Sequence, residues 1–393
     1  YNLSLTTKVL NRIIEQSKQY HQKSICFVTG VPGAGKTLVG LNIANERHQY
    51  DKQEHAVFLS GNGPLVAVLR EALVRDEIKR CKGKITKITS KRKVAAFIQN
   101  IHHFRDTYLP PSEQVPAEKV TIFDEAQRAW TKEQTAKFML KRHVPSWNMS
   151  EPEFLISVMD RHQDWAVIIC LIGGGQEIHT GEAGLLAWFD ALRNHFPHWN
   201  VYVSPQISDV EYTQGKPLES LFMGLHLYQE KKLHLSVSLR SFRNEKVSAF
   251  VKSLLDENLP IAQQLYSELS LNYPIVITRS LEKAKQWVQN QSRGTERYGL
   301  ISSSGAKRLR QFGIWVQNDI QAENWFLNDK EDVRSSYFLE ETATEFDIQG
   351  LEIDWAIVAW DADFRIEKGH FKAYNFKGSS WKIVRKKDAQ LYL

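Results

Sequence analysis

The sequence has few cysteines and no long apolar run. Its three cysteines, Cys26, Cys81 and Cys170, lie far apart, which excludes a zinc cluster of the usual spacing and a disulfide framework. A reducing compartment is therefore expected. No run of apolar residues approaches the length of a membrane span, and no signal peptide is visible. We therefore expect a cytoplasmic protein with no membrane partner.

The composition is that of a folded chain with a modest basic bias. Of the 393 residues, 42% are apolar and 24% are charged, which is typical of globular proteins. This length accommodates two ordinary domains with full cores. The formal net charge of +6 is compatible with a nucleic-acid partner but does not identify one. Because the sequence starts at Tyr1 rather than methionine, we expect it to be part of a longer protein.

A glycine-rich stretch from Ser24 to Asn42 is the strongest signal in the chain. The apolar run Ile25 to Val28 predicts a buried strand, and the residues that follow fit G-x-x-x-x-G-K-[ST] ahead of a helix-like segment. Such a loop surrounds phosphate oxygens with backbone N–H groups, which a Cβ would obstruct. The lysine would reach the β- and γ-phosphates, and the threonine hydroxyl would bind Mg²⁺. The predicted nucleotide-binding residues are Gly30, Gly33, Ala34, Gly35, Lys36 and Thr37.

Two adjacent carboxylates follow the next strongly predicted strand, Val120 to Phe123. Asp124 would hold Mg²⁺ through its hydration shell, and Glu125 would orient and deprotonate an attacking water. An acidic pair at a strand end can also serve only to solvate that end. The phosphate loop upstream favours catalysis.

A further buried strand, Trp165 to Ile172, ends in three glycines and Gln176. A glutamine here would sense the γ-phosphate, or it would only cap a polar loop. Residues 131–164, which precede this strand, are interpreted as an insertion that leaves the sheet.

The second half of the chain repeats the alternation of strand and helix. Strands are predicted at 233–239, 274–278, 298–303 and 355–360, with helices at 245–256 and 281–288. Two such alternations with one phosphate loop predict an α/β fold of two similar domains, with mainly parallel sheets and one nucleotide. We place the domains at residues 1–225 and 226–393.

Two stretches are candidates for contact with nucleic acid. Lys79 to Lys93 contains no acidic residue and includes Lys91, Arg92 and Lys93; it either contacts a phosphate backbone or forms a solvated basic surface. Phe364 to Lys387 interleaves aromatic residues with lysines. That pattern suits single-strand binding by stacking and charge, and it is also what a solvated connector would contain.

The blocks GVPGAGKT, DEAQRAW, GGGQEIHTGEAGL, SLRSFRN and ATEFDIQGLE occur in the order of superfamily 1 helicase motifs. Across nearly the whole chain they resemble the Schlafen-like DNA/RNA helicase family of bacterial proteins, related to group III Schlafens. The resemblance implies two RecA-like domains, with ATP and Mg²⁺ in their cleft and single-stranded DNA or RNA across their top. It does not choose between DNA and RNA.

The same resemblance suggests roles for further residues. It implies that Arg240 contacts the γ-phosphate and that the turn at Gly61 and Asn62 touches a single strand. It places Thr344, Gln349, Gly350 and Glu352 in the motif that couples nucleotide state to strand contact, with Gly350 and Glu352 on the nucleotide side and Thr344 on the nucleic-acid side. The family's final arginine-rich motif is expected beyond Leu393, so the second domain is expected to be incomplete.

Three functional hypotheses remain from the sequence. The first is an ATP-hydrolysing helicase or translocase, which the second RecA-like half favours because a simple switch needs no second cleft wall. The second is a nucleotide-gated switch that controls a partner or a fused effector, such as a nuclease domain. The third, a structural nucleotide-binding subunit, is disfavoured by the presence of Glu125.

Overall fold

The computed structural model describes residues 2–30, 33–50, 55–142, 144, 147–173, 184–208, 221–236, 242–270 and 273–384. The chain divides into two compact units. The first comprises Tyr1–Gly61 and Ile88–Arg240, and the second comprises Asn62–Lys87 and Ser241–Leu393. The division falls after Arg240 rather than after residue 225, because the strands at 226–235 pair in the sheet of the first unit. The two-domain assignment itself stays a prediction.

The first unit is built on a sheet of eight strands. They are β1 Lys23–Gly30, β2 His55–Ser60, β3 Ile98–Asn100, β4 Glu118–Phe123, β5 Ala166–Leu171, β6 Asn200–Val203, β7 His226–Gln229 and β8 His234–Leu235. Their order is β3-β2-β4-β5-β1-β6-β7, and β8 pairs with the end of β1. The pairings are parallel. The carboxyl ends of β1, β2, β4 and β5 therefore meet at one edge, where ligands bind in sheets of this type.

Helices of the first unit flank this sheet, and the residues of its central strands are buried. In chain order the helices are α1 Asn2–Gln19, α2 Lys36–Tyr50, α3 Gly63–Arg80, α4 Lys87–Phe97, α5 Ile101–Thr107, α6 Lys132–Lys141, α7 Glu151–Asp160 and α8 Gly184–His195. Of these, α3 falls in the second unit. The residues of β5 are all buried and apolar, as expected for a central parallel strand covered on both sides.

The segment 131–164 does not leave the domain core. It forms α6 and α7, and the side chains of Met139 and Phe154 lie in the same apolar cluster as Phe27 and Trp188. Hydroxyl caps begin both helices: Thr131 accepts from the backbone N–H of Gln134, and Ser150 caps α7 in the same way.

The second unit contains two small sheets. Strands β9 Tyr298–Ser302, β10 Thr342–Ala343 and β11 Trp355–Ala359 pair in parallel in the order β10-β9-β11, and β12 Phe364–Glu367, β13 His370–Lys377 and β14 Ser380–Ile383 form an antiparallel sheet. The helices are α9 Phe242–Leu255, α10 Leu259–Leu269, α11 Leu281–Gln291, α12 Ala322–Leu327 and α13 Glu345–Ile348. Helix α3 packs here through Val68, which contacts the cluster of Trp325, Phe326 and Ala343.

The structure contradicts one predicted strand and changes the pairing of another. Residues 274–278 form no strand, and the side chain of Ile277 is 97% exposed. The strand predicted at 233–239 is present at His234–Leu235, where it pairs with β1 rather than in a second sheet, and residues 237–239 lie outside the described residues. Between α4 and α5 the chain passes through β3, and Asn100 caps α5 by accepting from the N–H of His102 at 2.9 Å. An apolar pattern predicts a buried strand, but the tertiary structure decides whether the segment is buried and which strand it pairs with.

Within the described ranges, no helix is both long enough and apolar enough to span a membrane.

Candidate functional site

The loop after β1 has the backbone that a phosphate-binding loop requires. Gly33 and Gly35 adopt φ angles of 72° and 89°, in the left-handed region that favours glycine. Helix α2 begins directly afterwards at Lys36, whose Nζ donates to the carbonyl oxygen of Gly30 at 2.8 Å. Ala34, which lies between Gly33 and Gly35, is buried. The glycines thus turn the chain from β1 into the start of a helix, and the lysine side chain lies back along the turn.

Asp124 lies at the end of β4, beside the first turn of α2. Its carboxylate accepts a hydrogen bond from the hydroxyl of Thr37 at 3.2 Å, and its backbone N–H donates to Leu59 at 2.9 Å. Burial, and then the negative charge of Glu125, raise the pKa of Asp124 to about 7, against the opposing effects of Thr37 and Lys36. A cation bound here would favour the ionised form of the carboxylate. The Asp124 carboxylate and the Thr37 hydroxyl are both oxygen ligands, so this pair fits a divalent metal ion.

The described residues contain no group of three or more His, Cys, Asp and Glu side chains that could hold a metal ion. A magnesium ion at Asp124 and Thr37 would therefore take its remaining ligands from phosphate oxygens and water. Mg²⁺ commonly binds in this way, through one or two carboxylates together with substrate phosphates.

Glu125 follows in a left-handed backbone conformation, with φ 50° and ψ 45°. Its carboxylate accepts a hydrogen bond from the side-chain amide of Gln127. The amide oxygen of Gln127 in turn accepts from the backbone N–H of Gly173 at 3.0 Å. Sequence reasoning assigned Gln127 no role, although it is the last letter of the DEAQ block and that position was the available signal.

Two of the sequence-predicted catalytic residues, Gln176 and Arg240, lie outside the described residues. Their roles stay predictions.

In the second unit the structure brings Asn62 to the segment 344–352. The Asn62 side chain caps α3 by accepting from the N–H of Leu65 at 3.1 Å, and its amide nitrogen donates to the carbonyl of Gln349. Gly350 has a φ of 77°, and a Cβ there would lie 3.5 Å from that amide nitrogen. Thr344 caps α13 through Asp347 and is buried.

Two other predicted members of these motifs are placed as follows. Gly61 lies at the carboxyl end of β2 in the first unit. Glu352 is exposed. Within the second unit, the structure therefore brings Asn62 and Leu65 next to Gln349 and Gly350.

The two basic stretches differ in structure. Lys91 and Arg92 are exposed on α4, whereas Lys93 is half-buried. In the segment from β12 to β14, cations of the same chain already cover some of the rings: the Arg365 guanidinium lies 3.8 Å from the ring centre of Tyr374, and Arg308 lies 5.2 Å from that of Trp381.

The comparisons with known proteins identify the family of the chain. The family model of the Schlafen group 3 DNA/RNA helicase domain matches residues 23–391. The chain belongs to this family, and it is a helicase-like protein. No curated protein matches it. Among solved structures, the helicase domain of Hef from Pyrococcus furiosus is similar with a TM-score of 0.31 and 13% identity, and the match covers 88% of each chain.

Proposed function

We propose that the protein is an ATP-dependent nucleic-acid motor that hydrolyses ATP at the phosphate loop. The observation that carries this proposal is the 3.2 Å hydrogen bond between the hydroxyl of Thr37 and the carboxylate of Asp124. It joins the first turn of the helix after the glycine loop to the acidic pair after β4. Phosphate, metal and water would have to meet at this point for phosphoryl transfer to water.

Each side chain has a distinct part in that reaction. Lys36, which now donates to Gly30, would turn its ammonium group to the β- and γ-phosphates. Thr37 and Asp124 would hold Mg²⁺, which neutralises the charge that develops on the phosphate oxygens. Glu125 would accept the proton of the attacking water. Gln176 and Arg240 remain proposed γ-phosphate contacts because of the family assignment.

The nucleic acid that the protein binds is proposed to be single-stranded DNA or RNA. Affinity would come mainly from phosphate contacts and would be tolerant of sequence. The exposed cations Lys91 and Arg92 on α4 support this.

The test is ATP turnover with and without single-stranded DNA or RNA, in the parent and in Lys36→Ala. We expect a turnover that single strands stimulate, and its loss in the variant together with weaker ATP binding. The fold should persist, because losing the hydrogen bond to Gly30 costs only about 1 kcal/mol. Lys141→Ala, at an exposed lysine on α6, is the matched control. Unchanged turnover in Lys36→Ala would refute the proposal, and turnover indifferent to nucleic acid would favour a nucleotide-gated switch.

A further inference from the structure

The side chains of Glu125 and Gln127 meet the backbone of Gly173, which is distant in sequence. The Nε2 atom of Gln127 donates to Oε2 of Glu125, and Oε1 of Gln127 accepts from the N–H of Gly173 at 3.0 Å. Gly173 follows β5, so one amide side chain joins the end of β4 to the start of the chain after β5. Gln127 is only 6% exposed.

Gly173 lies in close contact with the ends of both side chains. A Cβ on Gly173 would lie 2.8 Å from Nε2 of Gln127 and 2.9 Å from Oε2 of Glu125. Real Cβ atoms do not approach other atoms so closely, so any side chain at residue 173 must displace both. The φ of Gly173 is not in the left-handed region, so a substitution at residue 173 would act by pushing aside these two side-chain ends rather than by straining the backbone.

The backbone that carries Glu125 and Gln127 is anchored independently of this contact. The two residues flank Ala126 at the start of a short 3₁₀ turn, whose carbonyl oxygen accepts from Nε1 of the fully buried Trp188 at 2.9 Å. The N–H of Arg128 donates to the carbonyl of Glu125 at 2.9 Å. With the main chain held in this way, the direction of the Glu125 carboxylate depends on its side-chain partner, which is Gln127.

We propose that Gln127 is a positioning residue for ATP hydrolysis, and that it makes the orientation of Glu125 depend on the position of Gly173. The amide hydrogen bond occupies one carboxylate oxygen and leaves the other to accept the proton of water. A shift of Gly173 would withdraw the hydrogen bond on the far side of Gln127 and release the carboxylate. This inference rests on the proposed role of Glu125 as general base.

The experiment measures kcat, KM and ATP affinity for the parent, Gln127→Ala, Gln127→Glu and Gly173→Ala. Gln127→Ala removes both hydrogen bonds. Gln127→Glu keeps an acceptor for Gly173 but cannot donate to Glu125. Gln163→Ala, at an exposed glutamine of the same unit, is the matched control.

We expect kcat to fall about 10–100-fold in all three site variants, which is the usual effect of removing a second-layer hydrogen bond, while ATP affinity stays within about twofold. The same substitution in a Glu125→Gln background should have no further effect, because Gln127 acts through Glu125. A merely structural residue would lower activity equally in both backgrounds.

The outcomes separate this inference from the proposed function. If the parent does not hydrolyse ATP, the proposed function fails. If the parent hydrolyses ATP but Gln127→Ala and Gln127→Glu match it, or if Gln127→Ala reduces turnover further in the Glu125→Gln background, the inference is wrong and the proposed function stands. Should Gln127→Ala fail to fold, as judged by its thermal unfolding, Gln127→Glu is judged by the same criteria.

Discussion

Replacing Glu125 by glutamine tests the chemistry of the site without removing its architecture. The two side chains have the same length and shape, and the variant amide oxygen can still accept the hydrogen bond from Gln127. The left-handed backbone at residue 125 costs about the same for either residue. We therefore expect the free energy of unfolding to change by less than about 1 kcal/mol.

The expected effect on catalysis is much larger. An amide cannot take up the proton of the attacking water, and loss of a general base typically reduces turnover about 10²–10⁴-fold. This corresponds to about 2.7–5.5 kcal/mol added to the activation barrier. ATP affinity should be retained, because Lys36, Thr37 and Asp124 are unchanged and the side chain of Glu125 is hydrogen-bonded to Gln127 instead.

The assay pairs single-turnover phosphate release with equilibrium ATP binding, for the parent, Glu125→Gln and Lys36→Ala. Glu133→Gln, at an exposed residue of α6, controls for loss of a charge. If Glu125→Gln loses ATP affinity as severely as Lys36→Ala, then Glu125 has a structural role and its assignment as the base is refuted.

Two further predictions concern the surface and the stability of the first unit. Reversing Lys91 and Arg92 to glutamate should flatten the salt dependence of single-strand binding by about one unit per lost phosphate contact, measured by fluorescence anisotropy; a parent with a flat salt dependence would make α4 a solvated surface. Burial raises the pKa of Asp160, but the hydrogen bonds to its carboxylate outweigh burial, and the net effect is a pKa below 3.8. The strongest of these hydrogen bonds comes from Lys23 at 2.8 Å, and Trp199 donates another at 2.9 Å. The carboxylate thus stabilises the fold fully above about pH 4, and this stabilisation is lost as the pH falls through the lower folded value. Denaturant titrations should show a shallower loss of stability below pH 4 for Asp160→Asn than for the parent, and parallel curves would contradict this.

The sequence by itself determined the features that neighbouring residues specify. The glycines at 33 and 35 are required by the left-handed backbone of their own turn. The strands β1, β4 and β5 can be recognised from their apolar runs, because a central parallel strand is buried on both faces and its residues are nearly all apolar. The DEAQ block therefore follows a recognisable strand, and the α/β class follows from the alternation.

Only the tertiary structure decided which distant groups meet. Nothing local distinguishes 234–235, which pairs with β1, from 274–278, which pairs with no strand in the described ranges. Helix α3 follows β2 in sequence yet packs on Trp325 of the second unit. The bond from Gln127 to Gly173 spans 46 residues. Strand pairing and burial depend on which distant segments the fold brings together. The position of Glu125 relative to Gly173 could therefore be known only from the folded chain.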